Sequence, residues 1–428
     1  MATTLRAILP QVAALLLGFG LLQMGNTLQG TLLSIRGDIE GFSPAQIGIV
    51  GASFWAGIVV GSLRSGMLIE RVGHVRTFAA LGAIASTIPL LHLLLIDPIA
   101  WVGLRAVTGF CFAGLFIVVE SWLNGEATVQ TRGQILSIYG MTGLMAGIAG
   151  QLLLPATDAT GFRPFCMVAI TLALSLVPLA LSRSSAPAGS SAAARINPRE
   201  LYRQSPFGVV AAFFAGATTG AFFALGPVFA QKRGLDTVEI AFFMSSGTLG
   251  GFIMAWPLGW LSDRMDRRLV IIVASITAAT MLLGMVVVVP RGAYAWVLYL
   301  CVALFGATVV PIYSIIIAQV SDVVSKEELV GASGGLLLLN GIGATIGPII
   351  AGFAMSVAPR GLSYTLVAAQ ALIAFWGLYT LTRRAAPATT HKGHFLVESP
   401  VPVGTILAPA HSTAEQDHLA NARGMRSR

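Results

Sequence analysis

Read for hydrophobicity alone, the chain alternates long apolar runs with short polar breaks. Twelve runs stand out, near 8–33, 44–66, 77–96, 98–123, 133–154, 164–182, 207–230, 238–260, 269–289, 294–319, 331–357 and 362–381. Most reach about 20 residues, the length at which a helix crosses a bilayer core of roughly 30 Å. A segment inside lipid must satisfy its own backbone hydrogen bonds, so such runs predict helices and not open strands. The expected fold class is an all-α integral membrane protein with twelve transmembrane helices.

The polar breaks repeat. GFSPAQIGI at 41–49 returns as GLDTVEIAF at 234–242, an offset of 193. Ser43 and Asp236 each suit a helix N-cap, and Gln46 and Glu239 follow three positions on, as a capping box requires. The same offset carries GMLIERV at 66–72 onto GWLSDRM at 259–265. GLMAGIAG at 143–150 matches GATIGPII at 343–350 in its Gly-x-x-x-Gly spacing. Ordered matches at a nearly constant offset predict two pseudo-symmetric six-helix halves, 1–182 and 207–382. The Ser/Ala/Pro-rich stretch 183–206 is expected to link them in the cytoplasm, with a short surface helix at RELYRQ. Beyond it, 383–428 turns polar and irregular and is expected to be a disordered cytoplasmic tail.

Composition agrees with the pattern. Residues are 55% hydrophobic and 10% charged, against about 25% charged in soluble domains. The net charge of +8 would suggest nucleic acid only if its placement were ignored. Of the 26 Lys and Arg residues, 19 fall in segments on the side of the N-terminus and six in loops on the other. Arg105 falls within a run. That bias fits the positive-inside rule, places both termini in the cytoplasm and argues against a nucleic-acid partner. The first run follows Arg6 but is too long for a signal peptide, and eleven more follow it. Cys111, Cys166 and Cys301 all lie in runs and form neither a disulfide framework nor a metal spacing, so no metal or cofactor is expected.

The charges concentrate in two short turns. GMLIERVGHVR holds Gly66, Glu70, Arg71, Gly73 and Arg76, and GWLSDRMDRR holds Gly259, Asp263, Arg264, Arg267 and Arg268. A polar turn between spans needs only a lone charge, so a repeated acid–arginine pattern asks for more. Its glycine admits a close neighbouring helix. Its acid can face a helix N-terminus, and its arginines can pair with acids at neighbouring helix ends. Such a knot can latch the two halves together on the cytoplasmic side and break on opening.

These two turns resemble the signature loop of the major facilitator superfamily, Gly-x-x-x-Asp-Arg-x-Gly-Arg-Arg/Lys, with Glu70 for the Asp, His74 for an Arg and Asp266 for the second Gly. RAVTG, with Arg105 and Gly109, resembles a fourth-helix feature of that family. VVESWLNGEATVQTRGQ, with Glu120, Arg132 and Gly133, resembles its acid-ended fourth helix and Arg-Gly fifth-helix start. The resemblance covers about 8–382 and is also similar to a bacterial inner-membrane branch of transporters with mostly unassigned substrates. It implies a secondary transporter that moves a small organic solute by alternating access, with protons as the coupling ion. It further implies a multi-pass protein of the bacterial inner membrane. A monomer is expected. The family's drug exporters carry a Gly-Pro pair in the fifth helix, where this chain has Ile148. Proton-driven export of amphipathic compounds is therefore the alternative, and a non-transporting receptor ranks below both.

Buried charge is costly in lipid, so each ionisable residue inside a run is a candidate for function. Arg105 can bind an anionic substrate or bias a nearby acid; otherwise it is a structural tie. It shares a helical face with Gly109, Phe112, Phe116 and Glu120, expected to line a central cavity. Glu120 suits a proton-coupling carboxylate, or pairs with Arg71, Arg76 or Arg132 in the latch. Gln23, Asn26 and Gln29 form a polar ridge in the first run, able to bind substrate or to tie helices together. Gln151, Tyr313, Gln319 and Asn340 are weaker candidates of the same kind, and His92 reads as packing. GASGG at 331–335 imitates a serine nucleophile motif, but no strand-to-helix turn is expected around Ser333, so an enzyme is not expected. GIGATIG at 341–347 imitates a dinucleotide fingerprint and reads better as close helix packing.

Overall fold

A computed structural model describes residues 2–127, 131–181, 198–287, 295–325 and 328–383. The helices of the first half are α1 (Ala2–Ile39), α2 (Pro44–Val72), α3 (His74–Leu94), α4 (Pro98–Glu126) and α5 (Arg132–Leu153), then α6 (Arg163–Leu174) and its continuation α7 (Leu176–Ala180). The short helix α8 (Pro198–Gln204) covers the expected RELYRQ segment. The second half holds α9 (Pro206–Lys232), α10 (Thr237–Arg264), α11 (Arg267–Val287), α12 (Ala295–Ser321), α13 (Leu329–Val357) and α14 (Gly361–Arg383). Twelve of the described spans are long and apolar enough to cross a membrane, and the described residues contain no strand. Residues 183–197 of the expected linker and 384–428 of the expected tail lie outside the described residues.

Both expected capping boxes form. The Ser43 and Asp236 side chains accept from the backbone N–H groups of Gln46 and Glu239, whose side chains return to the caps. Each box follows a glycine in the left-handed region, Gly41 at φ 81° and Gly234 at φ 85°. The helices overrun the apolar runs at the charged turns. Only Gly73 separates α2 from α3, at φ 87°, a conformation that favours glycine. Met265 and Asp266 separate α10 from α11, and Met265 is extended. Asp266 can replace a glycine there because no left-handed residue is needed, and its carboxylate accepts from the Arg268 backbone N–H.

The two halves repeat in packing. α2 lies along α4 as α10 lies along α12; α1 meets α5 as α9 meets α13; α3 meets α6 as α11 meets α14. Glycine permits the first of these pairings. A Cβ on Gly57 would overlap the Ala106 carbonyl oxygen, and one on Gly250, 193 positions on, would overlap that of Ala303. Between halves, α2 packs on α13 and α5 on α10, with α1 against α9. Large apolar side chains such as Leu63, Ile99, Trp256 and Phe375 point outward, a surface suited to lipid.

Candidate functional site

Two adjoining cavities lie where the halves meet. The first, with an empty volume near 830 Å³ including its mouth, is walled mainly by α1, α2 and α4, with Gln151 of α5 and Phe223 and Ala224 of α9. Its polar lining includes Gln23, Asn26, Arg105 and Gln151, and its aromatic lining Phe42, Phe54, Trp55, Trp101 and Phe223. The second, near 730 Å³, lies among α1, α5, α9, α10, α12 and α13, with Tyr313 and Asn340 on its wall. Gln23, Thr27, Trp55 and Phe223 line both, so the two cavities share a wall.

Arg105 is held by two neighbours. Its guanidinium carbon lies 4.3 Å from the Phe54 ring centroid, and its Nη1 donates to Gln29 Oε1 at 3.3 Å. One turn further along, α4 presses onto α2 where a Cβ on Gly109 would overlap the Phe54 carbonyl oxygen. That close approach sets Phe54 beneath Arg105. Arg105 is 6% exposed and lies on the cavity wall. Gln29 itself is fully buried behind the arginine and is absent from both walls.

Gln23 Oε1 and Asn26 Oδ1 are buried without a hydrogen-bond partner, on the cavity wall. Gln151 Oε1 accepts from the Thr31 hydroxyl at 2.7 Å, joining α5 to α1. Asn340 Nδ2 donates to the Ala212 carbonyl at 3.1 Å, joining α13 to α9, while its residue still borders the second cavity. Gln319 accepts from Ser205 and serves as a helix tie.

One expectation about α4 is corrected. Its face does not line the cavity throughout. Phe112 and Phe116 are fully buried, and pack edge-on against Phe54 and Phe19 inside the first half. Only Arg105 of that face reaches the wall, because α2 and α1 cover the rest. Glu120 is 3% exposed, accepts from the Tyr139 hydroxyl at 3.0 Å and borders neither cavity. His92 lies against Trp101, with ring centroids 5.4 Å apart, and its Nδ1 meets the Ile88 carbonyl, in keeping with packing. Ser333 sits within α13, and Gly343 and Gly347 press on the backbone of α9, so neither imitation motif has the local structure its chemistry needs.

At the charged turns, which mark one face of the molecule, Arg267 is the hub. It is 2% exposed and pairs with Asp322 at 2.9 Å and with Asp263 at 3.1 Å. Arg268 pairs with Asp266 at 2.9 Å. These pairs lie inside the second half. In the first half His74 stands at the position of Arg267, and its Nε2 lies 3.1 Å from Ser121 Oγ. Arg132 opens α5 at the same face, and Arg71 and Arg76 flank Gly73. Gly66 does not admit a neighbour: a Cβ there would meet nothing within 4 Å.

Polar contacts join the halves at the opposite face. Lys232 Nζ lies 3.5 Å from Asp38 Oδ1, Ser34 donates to the Ala224 carbonyl at 2.7 Å, and the Ala45 N–H donates to Ser356 at 3.2 Å. Beside them α2 and α13 touch at Gly48 and Gly352, where a Cβ would overlap the facing backbone. These partners were not singled out from sequence. Asp322, an acid closing the tenth apolar run, carried the same signal as Glu120 in the fourth.

A family model described as Major Facilitator Superfamily matches residues 15–334. The uncharacterized MFS-type transporter YcaD of Escherichia fergusonii is 27% identical over 384 residues, 90% of this chain and 98% of that protein. The YcaD protein of Escherichia coli O7:K1 is 28% identical over 365 residues, 85% and 93% of the two chains. Among solved structures, the nucleoside transporter NupG matches with a TM-score of 0.75 at 13% identity, over 87% of this chain and 99% of that one. A bacterial homolog to the human lysosomal transporter Spinster, in an inward-facing and occupied conformation, matches with a TM-score of 0.69 at 17% identity, over 89% and 99%. At such identities the structures speak for the fold alone. The family match, the near full-length relatives and the twelve spans together make this chain a multi-pass membrane transporter belonging to the Major Facilitator Superfamily.

Proposed function

We propose that the chain is a secondary transporter moving a small organic solute through the cavity between its halves by alternating access. The observation that carries this reading is the interfacial cavity itself, with a buried arginine and amides on its wall and direct contact between the halves at one face. By the distribution of Lys and Arg, the face with the charged turns is cytoplasmic and both termini lie there; the likeness to bacterial transporters favours the inner membrane. The present state is then closed outward. Glu70, Arg71, Arg76, Arg132, Asp263, Arg264, Arg267 and Arg268 form the latch that closes the cytoplasmic side in the opposite state, and Gly73 shapes the turn between α2 and α3. Protons are the proposed coupling ion. Glu120 is the candidate carboxylate, remote from Arg105 by fifteen residues, about 22 Å of helix.

The second reading, export of amphipathic compounds, is favoured by one observation, the aromatic wall of Phe42, Phe54, Trp55, Trp101 and Phe223. One experiment addresses both. Small-molecule profiles inside cells and in medium are compared for a deletion strain and for strains overexpressing the wild type or Arg105→Gln. A solute whose distribution follows wild type and not the variant supports transport, and its direction separates uptake from export. Identical profiles in all strains contradict it.

A further inference from the structure

We infer that the solute is an organic monocarboxylate bearing a hydroxyl or amino donor beside an apolar body. This rests on the reading of the first cavity as the transport site. Arg105 is the single cation on either wall, and neither wall contains an aspartate or glutamate among the described residues. Its partners there are a neutral amide and an aromatic face, not a carboxylate. A guanidinium in such a place is short of a counter-charge, and a bound carboxylate supplies one through two parallel N–H···O bonds. One cation balances one anion; a dianion would bring a second charge into an apolar space with nothing to meet it.

Arg105 Nη1 is turned to Gln29, and Gly30 lies beside Nη2, where even an added Cβ would stand 3.8 Å away. Gly30 lines the same cavity wall as Arg105. Next along α1, the unpartnered Gln23 Oε1 and Asn26 Oδ1 are acceptors, 5% and 8% exposed by residue. A buried acceptor without a donor is costly, and a ligand O–H or N–H relieves that cost. Phe54, Trp55 and Phe223 leave the remaining wall apolar. Anion, donor and apolar body therefore each have a matching surface within one cavity.

The test uses the purified full-length protein in lipid nanodiscs. Binding is read by quenching of tryptophan fluorescence, since Trp55 and Trp101 line the cavity. The probes are mandelate, its uncharged analogue mandelamide and the dianion phenylmalonate, followed by aliphatic 2-hydroxy and 2-amino monocarboxylates, each beside its amide. The expected result is saturable binding of a monocarboxylate, with its amide and the dianion at least about tenfold weaker. Arg105→Gln should abolish the preference for the acid. Gly30→Val, which keeps the arginine but covers Nη2, should weaken the acid more than the amide. Equal binding of acid and amide, preference surviving Arg105→Gln, or no binding by any acid would overturn the inference. Transport of a neutral or cationic solute in the profiling experiment would overturn it too, while leaving the transport reading intact.

Discussion

The Arg105 guanidinium lies 4.3 Å above the Phe54 ring, on the cavity wall between the two halves. Phe54 belongs to α2 and Arg105 to α4, and Gly109 brings the two helices together. On the proposed function, Arg105→Gln lowers transport at least about tenfold while leaving the protein in the membrane. Arg105→Lys keeps the charge but not the fork, and should retain an intermediate rate. Flux measured against membrane abundance checks both; wild-type rates in Arg105→Gln would remove this residue from the site.

Glycine contacts predict a stability effect unrelated to substrate. Gly57→Leu and Gly250→Leu each insert a side chain where the facing carbonyl already sits. Overpacking costs about 1–3 kcal/mol, occasionally more. Both variants should therefore lower the Tm in detergent by similar amounts, as expected of equivalent places in a repeat. A large drop in one half only would mean that the two helix pairs are not equivalent.

The Arg267 hub separates a structural acid from a gating one. Asp322 has a side-chain exposure of 4% and Asp263 one of 30%. Removing one partner of a buried pair costs roughly 3–5 kcal/mol, less where a second acid remains. Asp322→Asn should thus lower thermal stability more than Asp263→Asn. On the latch proposal, Asp263→Asn impairs transport while folded protein stays in the membrane. Unaltered transport in Asp263→Asn would sink the latch.

At the opposite face, the Lys232–Asp38 pair is partly exposed and worth no more than about 1 kcal/mol. Asp38→Asn should shift the balance of states only slightly. Gly48→Leu strikes the α13 backbone directly and should hold that face apart. Labelling of single cysteines placed at that face should rise sharply in Gly48→Leu and little in Asp38→Asn. The reverse order would show that the ion pair, and not the helix contact, holds the face closed.

Much of this architecture was legible in the residues. Apolar runs of bilayer length follow directly from the cost of unpaired backbone in lipid. The capping boxes at Ser43 and Asp236 were readable because each is a local pattern of four residues. What sequence left open were relationships between helices. Helical periodicity placed Phe112 and Phe116 on the face of Arg105, but it does not say how far a neighbouring helix covers that face. The partnership of Arg267 with Asp322 joins α11 to the residue just past α12 across 55 residues, and no local pattern announces it. The same holds for Ser34 with Ala224 and for Ala45 with Ser356, which depend on how one half is docked on the other.

On the proposed function, the halves must separate at this closed face for solute to pass. Ala45 and Ser356 touch across it, with 3.2 Å between the backbone nitrogen and the hydroxyl oxygen. The direct measurement is transport by an Ala45→Cys/Ser356→Cys variant in which Cys111, Cys166 and Cys301 are replaced, before and after oxidation. Cross-linking should stop flux of the solute found by profiling, and reduction should restore it. Undiminished flux through fully cross-linked protein would contradict it.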